Sequence, residues 1–155
     1  MNADDRMREL GYDLPTKVNK RGGVVPCVLD GTTLYVSGHG PEDNEGNLLF
    51  KGRVGSDLSV EDGYAAARAT GVQLLRSVHD HLGSLERVER VIKVFGLVNS
   101  ALDFYDQPAV IHGCSDLLIE VFGERGKHAR SAMGTSVLPL NQPVEIEMIV
   151  KVRDR

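Results

Sequence analysis

Tryptophan is absent from this chain of 155 residues, and cysteine occurs only twice, at Cys27 and Cys114. A chain of this length buries a core without covalent staples. The two cysteines fall in a predicted strand and a predicted helix, so both are expected as reduced thiols. Four Phe and four Tyr offer little stacking surface for nucleic-acid bases. Positive charge is not in excess either. The net charge is −4 and the isoelectric point near 5.7, which gives no field to draw the chain to RNA or to an anionic membrane. No apolar run approaches the ~18 residues of a membrane span. Met1 to Leu14 mixes Asp, Arg and Glu with few apolar side chains, unlike a secretory leader, and a cytoplasmic location is the expectation.

Cofactor signatures are missing as well. Gly38-His39-Gly40 is not followed by the third glycine and helix of a dinucleotide loop, and Gly123-Glu124-Arg125-Gly126-Lys127 lacks phosphate-loop spacing, so no cofactor is expected. Of the five histidines, His79 and His81 stand two apart on a predicted helix and point away from each other, and no metal site is expected.

What is present, 41% hydrophobic residues, suffices for one core and one domain over residues 1–155, with residues 1–23 as a polar extension that is either a short helix turn and a tail draped over the domain or mobile. Val24–Leu29 and Thr32–Ser37 flank Asp30-Gly31, the signal of a type I′ hairpin, and Pro26 places the first strand at an edge. A polar loop then leads to Leu48-Leu49-Phe50, a short apolar piece read as a further strand. Ser59 caps a helix that carries Ala65, Ala69, Val72, Leu75, Val78 and Leu82 at helical spacing and stops at Gly83. Val88–Val98, interrupted by Arg90 and Lys93, reads as a central strand nearly buried on both faces. Asp106 and Pro108 open a second helix that stops at Gly123.

The chain closes on two strands. Arg130 begins the first, and in the second Val144, Ile146, Met148, Val150 and Val152 alternate with Glu145, Glu147, Ile149 and Lys151. The order ββ(β)αβαββ predicts an α+β fold with a mixed six-stranded sheet and two helices packed on one face. The other face is read from Ala132, Gly134, Ser136 and Ile149 as too apolar for water and in need of another subunit. Arg130 offers a planar fork for a carboxylate or phosphate, and Glu145 is the next carboxylate that can handle a proton or a water. The plainer reading of each is a surface ion pair for Arg130 and a solvated strand face for Glu145 and Glu147. His39 and His112 stand between ligand contact and solvated side chain, whereas Cys114, on an apolar helix stripe, reads as a small core residue.

Tyr35-Val36-Ser37-Gly38, the strand Val91–Val98, and above all Ala129-Arg130-Ser131 followed by Val144-Glu145-Ile146-Glu147 resemble the RidA/YjgF family, also labelled L-PSP endoribonuclease or translation initiation inhibitor. The resemblance covers roughly Val24 to Val152. It implies a chorismate-mutase-like fold, a homotrimer with clefts between subunits, and hydrolysis of reactive 2-imino or enamine acids to 2-oxo acids and ammonia. It further implies Arg130 as the carboxylate-binding arginine, Glu145 as the water-handling glutamate and Gly38 as a backbone contact to the ligand. Three positions depart from the family's pattern. Ala132 stands where cysteine is common, His112 lies near a position often asparagine, and Pro26-Cys27 replaces a strand with a pocket tyrosine. The substrate-binding set expected is therefore Gly38, His39, His112 and Ala132. A non-catalytic carboxylate-binding protein is the rival to the deaminase, with a ribonuclease or translation inhibitor third. If the strands of Arg130 and Glu145 run antiparallel, their starts lie roughly 20 Å apart. Each site would then take Arg130 from one subunit and Glu145 from the next.

Overall fold

Periodicity along the chain resolves into eight elements in the computed structural model, which describes residues 1–17 and 23–155. In order they are α1 (Ala3–Glu9), β1 (Cys27–Asp30), β2 (Thr33–His39), α2 (Val60–Leu82), β3 (Val88–Asn99), α3 (Gln107–Phe122), β4 (Ala129–Thr135) and β5 (Val144–Val152). Short 3₁₀ turns at Leu85–Arg87, Gly123–Gly126 and Pro139–Asn141 lie between them. The strands form one mixed sheet in the order β1-β2-β5-β3-β4, with β3 and β4 parallel and every other pair antiparallel.

The sheet has five strands where six were expected. Asp43 accepts the backbone N–H groups of Glu45 and Asn47 on its carboxylate, which curls the polar run into a closed loop. Leu48 is left with a single bridge to Glu42. The hairpin between β1 and β2 also differs in detail. Asp30 pairs with Thr33, so the turn residues are Gly31 and Thr32, and of these Gly31 alone has a positive φ, 60°. That fits a II′ turn better than a I′ turn.

Both long helices cover the same face. At the start of α2, Ser59 and Asp62 bond each other's backbone N–H in a capping box, and Gly83 ends the helix in the left-handed conformation. Asp106 precedes α3 without capping it through its side chain. Where the two helices cross, a Cβ on Gly113 would lie 2.0 Å from the Tyr64 carbonyl oxygen, so only glycine permits this approach. Leu74, Leu75, Val78, Ile111, Leu117 and Leu118 fill the space over the sheet and are fully buried.

Of the two readings of the N-terminal extension, the draped helix holds for its first part, Ala3–Glu9, which forms a third helix. Met7 is fully buried, the Ala3 N–H donates to Glu86 (2.6 Å), and Asp4 accepts from the Ser84 hydroxyl and the Leu85 N–H. These contacts lock α1 onto the turn before β3. The remainder of the 1–23 extension includes residues 18–22, which lie outside the described residues.

Within this chain β3 is central but buried on one face only. Val88, Val91, Val94, Gly96 and Val98 lie under the helices, while Ile92 is 41% exposed and Phe95 and Leu97 are half-buried on the opposite side. Tyr35 and Met133, about half exposed, share that open face with Ile149. Ala132 and Gly134, expected there, sit instead on the helix side. Parallel pairing sets them level with Gly96 and Val98; Ala132 packs on the core, and Gly134, itself exposed, lies beside the Gln107 side chain at the start of α3. Among the described residues no helix is long and apolar enough to cross a membrane.

Candidate functional site

Arg130 is held by α3. Its backbone is level with Val94, so its side chain shares the helix face of the sheet. One guanidinium nitrogen, Nη1, donates to His112 Nδ1 (2.9 Å) and to the Ser115 hydroxyl (3.2 Å). An arginine N–H can only donate, so His112 Nδ1 is the acceptor and its proton sits on Nε2. The ring of His112 is exposed, whereas Ser115 is buried. Ser115 also touches His128, whose Nε2 lies 2.9 Å from the hydroxyl and whose Nδ1 lies 2.6 Å from the Gly126 carbonyl. A carbonyl can only accept, so Nδ1 carries the proton and the bare Nε2 receives the Ser115 hydroxyl proton. Burial pushes the His128 pKa below its ordinary value, and the nearby Arg130 charge adds to the shift. Both bonds that hold the guanidinium use Nη1, and its Nε–Nη2 edge takes no side-chain partner among the described residues. That edge matches the two oxygens of a carboxylate.

A second group stands at the start of β5. Glu145 is level with Leu97, so it shares the open face, half-buried. The buried Gln142 donates its amide to Glu145 Oε1 (3.2 Å). Two glycines make room for this pair. A Cβ on Gly38 would lie 3.0 Å from Glu145 Oε2, and one on Gly40 would lie 2.0 Å from Gln142 Oε1. Glu147 is exposed. His39 turns the other way, into the core. Its Nδ1 lies 2.6 Å from the Ser37 carbonyl and its Nε2 2.7 Å from the Ser77 hydroxyl.

The expected residues therefore form two clusters. Arg130, His112 and Ala132 lie together on the helix face, and Glu145 with Gly38 on the open face. The register separates Arg130 from Glu145 by three residues along β3 and two strand spacings across it. That is roughly 14 Å between backbones, less than the 20 Å expected, because the strands, though they start at opposite ends of the stretch they share along β3, overlap only from Lys93 to Val98 and each residue sits one position inside its strand. Sequence reasoning missed Ser115, His128, Gln142 and Gly40. Ser115 carried a signal, a hydroxyl on the apolar stripe of α3 three residues after His112.

Known proteins resemble this chain over nearly its whole length. Residues 4–151 match the family described as "YjgF/chorismate mutase-like, putative endoribonuclease". The chain belongs to the YjgF family. Protein TCP17 of Trypanosoma cruzi is 38% identical over 149 residues, which are 96% of this chain and 92% of that protein. The solved Agrobacterium tumefaciens protein Atu1372 is 40% identical with a TM-score of 0.88, covering 97% of this chain and 91% of the other. A "putative endoribonuclease" from Shewanella oneidensis MR-1 is 30% identical with a TM-score of 0.92, covering 98% of this chain and all of the other.

Within the YjgF framework both thiols of this chain lie buried. Burial pushes the pKa of both Cys27 and Cys114 up to about 12, and the Cys27 thiol donates to the Ser77 carbonyl. Ala132 lies two residues beyond Arg130 on the same face and packs on the core, bringing no polar group.

Proposed function

We propose that this YjgF-family chain hydrolyses 2-imino or enamine acids to 2-oxo acids and ammonia, in the cytoplasm, in a cleft that forms between copies of a homotrimer. The observation that carries the reading is the Arg130 guanidinium. It is fixed through Nη1 alone, with the edge that suits a carboxylate left over. Arg130 would grip the acid, the backbone at Gly38 would orient it, and Glu145, itself gripped by Gln142, would position or deprotonate the water that attacks carbon 2. An imine carbon is already electrophilic, so positioning and one proton acceptor suffice and no cofactor is called for. Arg130 and Glu145 face opposite sides of one sheet, which supports a site drawn from two copies. The apolar open face supplies the reason for copies to associate.

A second reading, a protein that binds a small carboxylate without turning it over, is favoured by Ala132, which leaves the pocket one polar group short. The endoribonuclease name of some relatives finds less support, since the net charge is −4. Ammonia release when the purified protein meets 2-aminoacrylate generated in place by a dehydratase separates the readings. A rate above buffer that is lost in Arg130→Ala supports the deaminase. Saturable binding of 2-oxobutanoate without any acceleration supports the binder, and cleavage of RNA with neither supports the third.

A further inference from the structure

The molecule uses one device twice. In each case a histidine donates Nδ1–H to the carbonyl two residues before it and accepts a helix serine hydroxyl on Nε2. His39 does so with Ser37 and Ser77, tying β2 to α2. His128 does so with Gly126 and Ser115, tying the start of β4 to α3. The first pair serves as a structural clamp. The second differs in one respect, because the Ser115 oxygen also accepts from Arg130 Nη1 at 3.2 Å. The hydroxyl is buried, so its hydrogen has few places to go, and the choice it makes is set by the imidazole behind it. While Nε2 is bare, the hydroxyl proton points at His128 and the oxygen lone pairs point at the guanidinium.

We propose that Ser115 and His128 are positioning residues for Arg130: the hydroxyl–imidazole pair holds the guanidinium so that its Nε–Nη2 edge is presented to a carboxylate, and the hold loosens when His128 takes up a proton. This rests on the reading that Arg130 is the carboxylate-binding group. Once protonated, Nε2 becomes a donor to the same oxygen that Arg130 needs, and two cations then share one hydroxyl. The charged and titratable groups of the elements packed around His128 are Arg130 on β4; His112, the Cys114 thiol, Asp116 and Glu120 on α3; Lys127 with its partner Glu124, and Arg125, in the preceding turn; and Glu89, Arg90 and Lys93 on β3. The Arg90 guanidinium donates to the Lys127 carbonyl. Burial and Arg130 both oppose protonation of His128, so the latch is closed at neutral pH and opens on the acid side of 6.5.

Nitrogen-15 NMR of the full-length protein tests this without any ligand. His128 should show the Nδ1–H tautomer, and rotation about the Cζ–Nη1 bond of Arg130 should be slow at pH 7.5 and quicken as His128 titrates. Ser115→Ala should speed that rotation roughly fivefold, the worth of one net hydrogen bond. Ser115→Thr should restore it, and Ser77→Ala, which breaks only the clamp on the other side of the molecule, should leave it alone. His128→Gln should remove the pH dependence. Calorimetric titration with 2-oxobutanoate adds the functional arm, with affinity falling roughly fivefold in Ser115→Ala. A His128 proton on Nε2, or unchanged rotation in Ser115→Ala, overturns the proposal. So does faster rotation with unchanged affinity in a wild type whose binding needs Arg130. If Arg130→Ala binds the oxo acid as well as wild type does, the carboxylate reading of Arg130 fails, and with it the functional half of this proposal.

Discussion

Arg130 is committed to α3 on one side and open on the other, so removing it should affect ligands far more than folding. Arg130→Ala is expected to cost about 2 to 4 kcal/mol of binding or transition-state stabilisation. Thermal unfolding should stay near wild type. Arg130→Lys should recover little, because an ammonium cannot bond His112 and Ser115 and still present a planar edge. Full activity in folded Arg130→Ala protein would remove the assignment. Gly40 is expected to matter for the opposite cluster. A methyl there meets the Gln142 amide at 2.0 Å, so Gly40→Ala should displace Gln142, release Glu145 and slow turnover while the affinity for 2-oxobutanoate holds. Equal loss of both would point to a disturbed fold instead. At this scale a charge set into a strand stood out in the sequence, as at Arg130 and Glu145. A hydroxyl or a missing methyl group that makes room for such a charge or holds it did not. Ser115, Gln142 and Gly40 have unremarkable neighbours in the chain, and their partners come from elements that only the fold brings close.

Elements were legible when local chemistry specified both ends. Ser59 with Asp62 and Gly83 bound α2 where its spacing predicts, and β5 alternates as its residues require. The sixth strand failed because one turn-forming side chain, Asp43, outcompeted three apolar residues. Helix α1 was legible only as a short helix turn, for a different reason. Its seven residues are too few to form a helix alone, and it exists because Met7 fills the core and Asp4 and Glu86 tie it down. Met7→Ala should therefore destabilise the fold by about 2 to 5 kcal/mol in denaturant titration. A change below 1 kcal/mol would mean that α1 is an ornament. The crossing of α2 and α3 makes a sharper demand. Gly113→Ala places a methyl where the Tyr64 carbonyl lies, and should cost at least the ~1–3 kcal/mol of ordinary overpacking, since backbone cannot step aside as a side chain can.

On the scale of the whole molecule, the apolar face opposite the helices was foreseen, although the wrong small residues were credited with it. Alternation alone cannot say which way β4 turns. Its pairing with β3 decides that, and it turns Arg130, Ala132 and Gly134 to the helix side of the sheet. Tyr35, Ile92 and Met133 carry the exposed apolar surface instead. Sedimentation at micromolar concentration is expected to give a trimer, and Met133→Glu should shift it toward smaller species. A wild-type monomer would contradict the shared-site reading. Mixing and refolding inactive Arg130→Ala with inactive Glu145→Ala should restore part of the activity, since some interfaces then combine both intact halves. No recovery in mixed trimers verified by mass spectrometry would place the site within one chain or remove Glu145 from it.

That Arg130 and Glu145 look out from opposite sides of one sheet has a consequence for how such a protein behaves on dilution. If each site is split between neighbours, specific activity falls at concentrations where every chain is still folded, and ligand opposes the fall. Each occupied site adds RT ln(1 + [L]/Kd) to the cohesion of the assembly. Substrate would then act as its own assembly factor, and the cell would set the fraction of working sites by how much protein it makes.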